Sequence, residues 1–423
     1  MVGTVLLMLP VATQAPGGAG ALQALFTATS AVCVTGLIVV DTPVFWSGFG
    51  QVVILALIQV GGFGIMTLAS LLGLLISRRL GLRTRLTAAA ETKTLSIGDV
   101  GPVVLGVAKI SLTVEAVTAA ILAVRLASAY GEPPGRAAWL GLFHAVSAFN
   151  NAGFALYSDS LIGFMTDAWI CLPIAVAVII GGLGFPVLFE LRRTYRRPSR
   201  LSLHSKITLM GTAVLLIGGT AFMLAAEWSN PATLGPLNAP GKLLAGFFQG
   251  VMPRTAGFNS VDIAQMNTGT WLGTDILMFI GGGSAGTAGG IKVTTFFLLL
   301  FIIISEVRGH DDSAAFNRRI SIQTQRQALS VALLGVAAVV APAVLFTMTT
   351  PFTLDEVLYE IVSAFATVGL STGITAQLSP PHQLVLVALM FLGRLGPITL
   401  ATALALRHRE RLYRLPEERP IIG

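Results

Sequence analysis

One short pattern occurs four times in this chain, and the recurrence limits the fold more than any single segment does. Residues 27–37 read TATSAVCVTGL, 144–154 HAVSAFNNAGF, 247–258 FFQGVMPRTAGF and 360–370 EIVSAFATVGL. Each copy runs from an apolar amphipathic segment into a short polar stretch and closes on a glycine followed by Leu or Phe. The glycines are Gly36, Gly153, Gly257 and Gly369, spaced by 117, 104 and 112 residues. Ser30, Ser147 and Ser363 stand six residues before their glycines, and the third copy has Val251 there. The chain therefore reads as four copies of one unit.

Composition says where such units sit. Of 423 residues, 54% are hydrophobic and 11% charged, with mean hydropathy +0.80. That is too little charge for a soluble domain of this length, so the chain reads as a polytopic protein of the lipid bilayer. The net charge of +7 does not point to nucleic acid, which needs one continuous basic face. Instead, 20 of the 27 Lys and Arg fall in four clusters, at 78–93, 192–206, 308–326 and 407–419. Each cluster follows the second long apolar segment of a unit, which marks the cytoplasmic side. Cys33 and Cys171 lie in apolar context and form no disulfide framework. No cleavable signal peptide is read.

In order, each unit is a span, a half-span too short to cross, a loop holding the glycine, and a second span. The units are 1–77, 101–192, 206–308 and 327–407, followed by a cytoplasmic tail at 408–423. Half-spans are expected at 21–31, 138–149, 242–252 and 354–367, and second spans at 49–76, 168–191, 271–305 and 382–406. The first span of unit 1 is incomplete: its apolar residues 1–12 reach only ~18 Å of a ~30 Å hydrocarbon core. Two full crossings return each unit to its starting side. The units are then parallel and can surround one axis normal to the membrane. The fold class is an all-α polytopic membrane protein, with four parallel span–pore-helix–span repeats around a central pore. Non-helical backbone at membrane depth survives only against protein or a watery cavity.

An alkali cation leaves water only if other oxygens replace its shell, and four loops presenting backbone carbonyls to one axis do that. Carbonyls that all turn inward need backbone angles a Cβ resists, which accounts for a glycine in every loop. The candidate ion-binding residues are each glycine and the two residues before it: Val34, Thr35, Gly36; Asn151, Ala152, Gly153; Thr255, Ala256, Gly257; Thr367, Val368, Gly369. Each half-span ends just before its loop and turns the negative end of its dipole toward a cation. One such glycine alone would be an ordinary turn or packing contact.

A second small-residue motif follows each glycine by 24 to 28 residues: Gly61-Gly62-Phe63-Gly64, Gly181-Gly182-Leu183-Gly184, Gly282-Gly283-Ser284 and Gly393-Arg394-Leu395-Gly396. The first two copies read as close helix packing. The third lies in a run too rich in glycine to stay helical, so the span should break there into a flexible loop below the filter. That run comprises Gly281, Gly282, Gly283, Ser284, Ala285, Gly286, Thr287, Ala288, Gly289 and Gly290, with Lys292 just beyond. The fourth copy puts Arg394 where the first two have glycine. A charge near the bilayer centre costs ~2.5–3.5 kcal/mol on insertion scales. A pore-facing role for Arg394 is preferred to a buried structural ion pair.

The loop glycines, GGGSAGTAGGIK at 281–292 and FLGRLGPITL at 391–400 resemble the Trk/Ktr/HKT superfamily of cation transporters across essentially the whole chain. Eight expected spans, without an extra amino-terminal pair, fit its bacterial Ktr branch better than the longer TrkH type. The resemblance implies a potassium-channel-like fold with a potassium filter at the four glycines. It implies a gate made by residues 281–292 with Arg394. It also implies a homodimer and, as partner, a cytoplasmic ring of nucleotide-binding RCK subunits. Potassium uptake across the plasma membrane, here the bacterial inner membrane, follows, with K+ as transported ion and no bound organic cofactor. Serine at the first filter position marks many sodium-selective members of the plant branch; here it is Gly36. Two alternatives stand beside this reading. One is a sodium-conducting or sodium-coupled (Na+) transporter of the same fold, and the other a non-conducting membrane sensor or scaffold. The incomplete first span and Val251 depart from the pattern.

Other polar residues keep two readings. Asp41, Asp159 and Asp262 follow their glycines by five, six and five residues. They concentrate cations at an outer mouth or cap the next helix. Glu115 is a hydrogen-bonded packing residue or a coupling carboxylate, and Arg254 an outer-mouth charge or a loop tie. Nothing marks an enzyme: there is no phosphate loop, metal-ligand spacing or nucleophile constellation.

Overall fold

The computed structural model describes residues 1–79, 100–310 and 312–406. The tail expected at 408–423, the basic cluster at 407–419 and most of that at 78–93 lie outside the described residues. Those described form helices α1 (Val2–Met8), α2 (Ala21–Val32), α3 (Thr42–Phe45), α4 (Gly48–Arg79), α5 (Val100–Ala129), α6 (Pro134–Phe149), α7 (Ala168–Leu183) and α8 (Phe185–Thr194). The second half holds α9 (Leu203–Glu227), α10 (Ala239–Val251), α11 (Thr268–Phe279), α12 (Val293–Val307), α13 (Ile322–Thr349), α14 (Leu354–Ala366) and α15 (Pro380–Leu406). One antiparallel hairpin pairs Ala314–Ala315 with Arg318–Arg319.

Helices α5, α9 and α13 are long and apolar enough to cross a membrane, yet their most apolar stretches are only 28, 33 and 22% buried inside the protein. Leu105, Ile217 and Met348 stand exposed on them. Apolar side chains facing outward in such number belong against lipid. The short helices behave in the opposite way. α2, α6, α10 and α14 have 12, 16, 13 and 13 residues and bury most of their last turns. Their starts are capped where the sequence allows it. Thr353 and Glu356 form a reciprocal capping box on α14, and Asn238 Oδ1 accepts from Gly241 N–H (2.9 Å) on α10.

Among the described residues the interior holds two large apolar clusters and a small one of Ile207, Ile280, Val293 and Phe297 in unit 3, and the membership of the large two closes the molecule on itself. The first joins helices of units 1 and 2 and also takes in Phe248, Val251, Met252 and Phe258 of unit 3. The second joins units 3 and 4 and takes in Phe26, Cys33 and Leu37 of unit 1.

The second spans correct the sequence in one place. The continuous span expected at 168–191 does not form: α7 and α8 meet at 96° across Gly184. Gly184 has φ +91°, and Pro186 follows in the first turn of α8. A left-handed residue and a missing N–H end one helix and start another. So the copy read as packing alone is also a break. In unit 3 the chain leaves the helix at Ile280 and re-enters at Val293. In unit 4, α15 runs unbroken through Arg394.

Candidate ion-binding ring and the loop beneath it

The four loops share one backbone shape. The motif glycines have φ of +91°, +71°, +73° and +94°, and the residues two before them, Val34, Asn151, Thr255 and Thr367, also have positive φ (55°, 58°, 69° and 51°). They meet in a closed ring, in chain order. A Cβ placed on Gly36 falls 2.4 Å from the Ala152 carbonyl oxygen, and one on Gly153 falls 2.9 Å from that of Ala256. One on Gly257 meets the Val368 oxygen at 2.4 Å, and one on Gly369 meets the Thr35 oxygen at 2.1 Å. Each carbonyl belongs to the residue just before the next glycine. Val34, Thr35, Asn151, Ala152, Thr255, Ala256, Thr367 and Val368 are all wholly buried. The side-chain hydroxyls of Thr35, Thr255 and Thr367 have no hydrogen-bond partner among the described residues, and such oxygens suit a partly dehydrated cation.

Side chains of the short helices hold the loops. Gly36 N–H donates to Ser30 Oγ (3.1 Å) and Gly369 N–H to Ser363 Oγ (3.0 Å). Ser147 Oγ makes no such bond. A second tie holds the residue three after the glycine. Leu156 N–H donates to His144 Nε2 (3.3 Å), Ser260 N–H to Gln249 Oε1 (3.4 Å) and Thr372 N–H to Glu360 Oε1 (3.0 Å). Sequence reasoning missed this tie because a different residue type makes it in each of these three units.

The first glycine of the second motif sits against the end of the short helix. A Cβ on Gly61, Gly181 or Gly393 would approach the carbonyl oxygen of Val32, Phe149 or Phe365 to 2.0, 2.0 or 1.6 Å. These are the residues four before the loop glycines. Close packing, read from sequence for the first two copies, is present in three units.

In unit 3 the segment 280–292 lies between units 2 and 4. Gly283 N–H donates to Gly182 O (2.7 Å) and Thr287 N–H to Gly181 O (3.2 Å). Thr287 Oγ1 donates to Asn151 Oδ1 (2.7 Å), a ring residue. On the other side, a Cβ on Gly289 would meet Thr367 Oγ1 at 2.0 Å. Arg394, buried, donates from Nη1 to Thr287 O, while its Nε and Nη2 have no partner among the described residues. No carboxylate pairs with it among those residues, so the buried ion pair has no acid to form it. Lys292 Nζ donates to Ala288 O (2.5 Å), folding back on the segment. The segment, expected to be flexible, is pinned: Gly281 N–H also donates to Ile291 O (2.8 Å) and Val293 N–H to Gly282 O (3.0 Å).

The profile of the TrkH family, described as cation transport protein, matches residues 4–413. The chain belongs to that family. It is a membrane protein of a cation transporter family, not an enzyme. Its similarity extends to the Ktr system potassium uptake protein B of Bacillus subtilis, 42% identical over 96% of this chain and 90% of that protein. The protein of the same description from Vibrio alginolyticus is 38% identical over 99% and 91%. The potassium/sodium uptake protein NtpJ of Enterococcus hirae is 36% identical over 100% and 94%. The fold is that of the potassium transporter TrkH from Vibrio parahaemolyticus, with TM-score 0.70, 19% identity and coverage of 92% of this chain and 79% of that one.

The polar residues with two readings take definite places. Glu115 accepts from Gln59 Nε2 (3.1 Å) and Asn150 Nδ2 (3.2 Å), a packing network between units 1 and 2. Arg254 points inward, donating to Thr212 O and Gly281 O (3.4 Å each), and so ties a loop rather than lining an outer mouth. Asp262 Oδ1 caps Ala264 N–H (3.0 Å), whereas Asp41 accepts from Ser158 Oγ (2.5 Å) of unit 2 and caps nothing. Asp159 is exposed.

Proposed function

We propose that the chain is the ion-translocating subunit of a potassium uptake system of the plasma membrane, and that potassium crosses through the ring of four loops. The observation that carries this is the ring itself: four left-handed glycines, each against the carbonyl of the next loop. Oxygens held at fixed positions replace a hydration shell without reorganising. The short helices end with Cys33, Asn150, Met252 and Thr367 as C-caps, so their partial negative charges lie beside the same loops. Residues 281–292 with Arg394 act as the intramembrane gate. A guanidinium in the path repels cations, and its Nη1 holds the Thr287 carbonyl of the segment. A homodimer on a cytoplasmic nucleotide-binding ring completes the assembly; relatives named as parts of a Ktr system support a partner subunit.

A sodium-conducting or sodium-coupled variant is the second reading, favoured by the relative named for both potassium and sodium. Growth of a potassium-uptake-deficient bacterium at low potassium tests the function. Rescue by this chain is expected, and failure despite normal membrane expression would support a sensor or scaffold instead. Labelled-cation flux in liposomes with and without sodium then separates the two transport readings.

A further inference from the structure

The end of α8 carries a dense positive surface that the transport path does not use. The helix leaves α7 at 96°, so it runs across the direction of the span instead of prolonging it. Its first turns face inward: Phe185 and Val187 are buried, Leu188 and Phe189 half-buried, and the Phe189 ring packs over Gly106 of α5. From there the character reverses. Arg192, Arg193, Arg196, Arg197 and Arg200 are all exposed within nine residues. Among the described residues none of the five pairs with a carboxylate. Glu190, the acid nearest in sequence, is already held by Ser202 N–H (2.6 Å), Ser202 Oγ (2.7 Å) and Ser205 Oγ. Tyr195, 68% exposed, stands among the arginines with the Arg196 guanidinium 5.3 Å from its ring centre.

Five unpaired guanidiniums at an apolar-to-polar boundary repel one another unless anions lie between them. Guanidinium forks match phosphate oxygens in pairs. A basic cluster directly cytoplasmic of a span faces the anionic leaflet, and an exposed tyrosine suits the headgroup level. We propose that the end of α8 and the turn after it, residues 192–200, are a docking surface for the phosphate headgroups of anionic phospholipids in the cytoplasmic leaflet. An acidic face of a cytoplasmic protein is the rival occupant. Lipid is favoured because α8 keeps its apolar side against the membrane helices while running across them. The surface is joined to the segment beneath the ring. Phe185 N–H donates to Ala285 O (3.4 Å), Gly283 N–H donates to Gly182 O (2.7 Å), and a Cβ on Gly184 would meet Ser284 O at 2.4 Å. Headgroup binding therefore steadies that segment, a consequence that rests on the gate reading; the docking itself does not.

The test binds fluorescent phosphatidylglycerol and phosphatidylcholine to the full chain in detergent micelles. The intact chain should prefer phosphatidylglycerol, and the preference should fall as potassium chloride is raised. Arg192→Gln with Arg193→Gln should weaken the preference by a factor of roughly five per arginine, and Gln at all five positions should abolish it. The control, Arg318→Gln with Arg319→Gln on the hairpin, should bind as the intact chain does. An intact chain with no preference, or one indifferent to salt, overturns the proposal without need of any variant. So does a five-fold variant that keeps the preference, or one that keeps it while releasing the cytoplasmic partner, which would make this a protein contact. Because binding is read without flux, this outcome stands apart from success or failure of the potassium reading.

Discussion

At the residue scale, the loops are held in backbone conformations that side chains resist. Val34, Asn151, Thr255 and Thr367 adopt left-handed angles at a cost of ~1–2 kcal/mol each, so the surrounding packing must over-determine them. The glycines add a steric reason to the conformational one. Gly36→Ser puts a Cβ and a hydroxyl where the Ala152 carbonyl lies 2.4 Å away. A change of only ~1.4 kcal/mol in differential binding lowers the potassium-to-sodium uptake ratio about tenfold, and a loss of that order is expected. An unchanged ratio would remove the unit 1 loop from the filter. The serines give a sharper contrast. Ser30→Ala and Ser363→Ala each strand a loop N–H, at ~1–3 kcal/mol, and should lower the unfolding temperature in detergent. Ser147→Ala removes a hydroxyl without a partner and should be neutral or stabilising. Equal losses at all three positions would mean that the serines act through packing.

At the element scale, the two broken spans meet. α7–α8 bends at Gly184, and the 280–292 segment docks on that bend, reaching Asn151 on one side and Arg394 on the other. Arg394→Ala, or deletion within 283–288, should raise potassium flux per folded molecule in liposomes and reduce dependence on a cytoplasmic partner. Equal or lower flux in both well-folded variants would rule out the gate. The unit 3 break was legible because glycine density alone defeats a helix. The unit 2 break was not. Gly181-Gly182-Leu183-Gly184 matches Gly61-Gly62-Phe63-Gly64 in pattern, yet α4 continues through its copy. Pro186 and the Ser284 carbonyl make the difference, and only the first is local in sequence.

At the scale of the whole molecule, the units are tied pairwise around the ring. Gln59 on α4, Glu115 on α5 and Asn150 at the end of α6 join units 1 and 2. Glu115→Ala takes the acceptor from Gln59 Nε2, while Asn150 Nδ2 keeps Gln59 Oε1 and Val146 O, and should cost ~1–3 kcal/mol in thermal unfolding. Glu115→Gln keeps an acceptor oxygen and should preserve both stability and transport. If Glu115→Gln abolishes uptake at an unchanged unfolding temperature, Glu115 is a coupling carboxylate after all.

The sequence by itself determined the bilayer as solvent, the short helices ending before each glycine and the break in unit 3, and it is the source of the four-unit reading. All of these rest on composition, periodicity and glycine content within a few turns of chain. Tertiary structure alone decided the order in which the loops meet and the three different side chains that tie their outer halves. It also decided the inward direction of Arg254 and the docking of the Ser284 carbonyl that joins Pro186 in setting the bend at Gly184. Those features depend on contacts between residues from about ten to more than three hundred positions apart, such as Gly369 against Thr35. No local propensity encodes which carbonyl a distant backbone will approach; close packing of the assembled helices does.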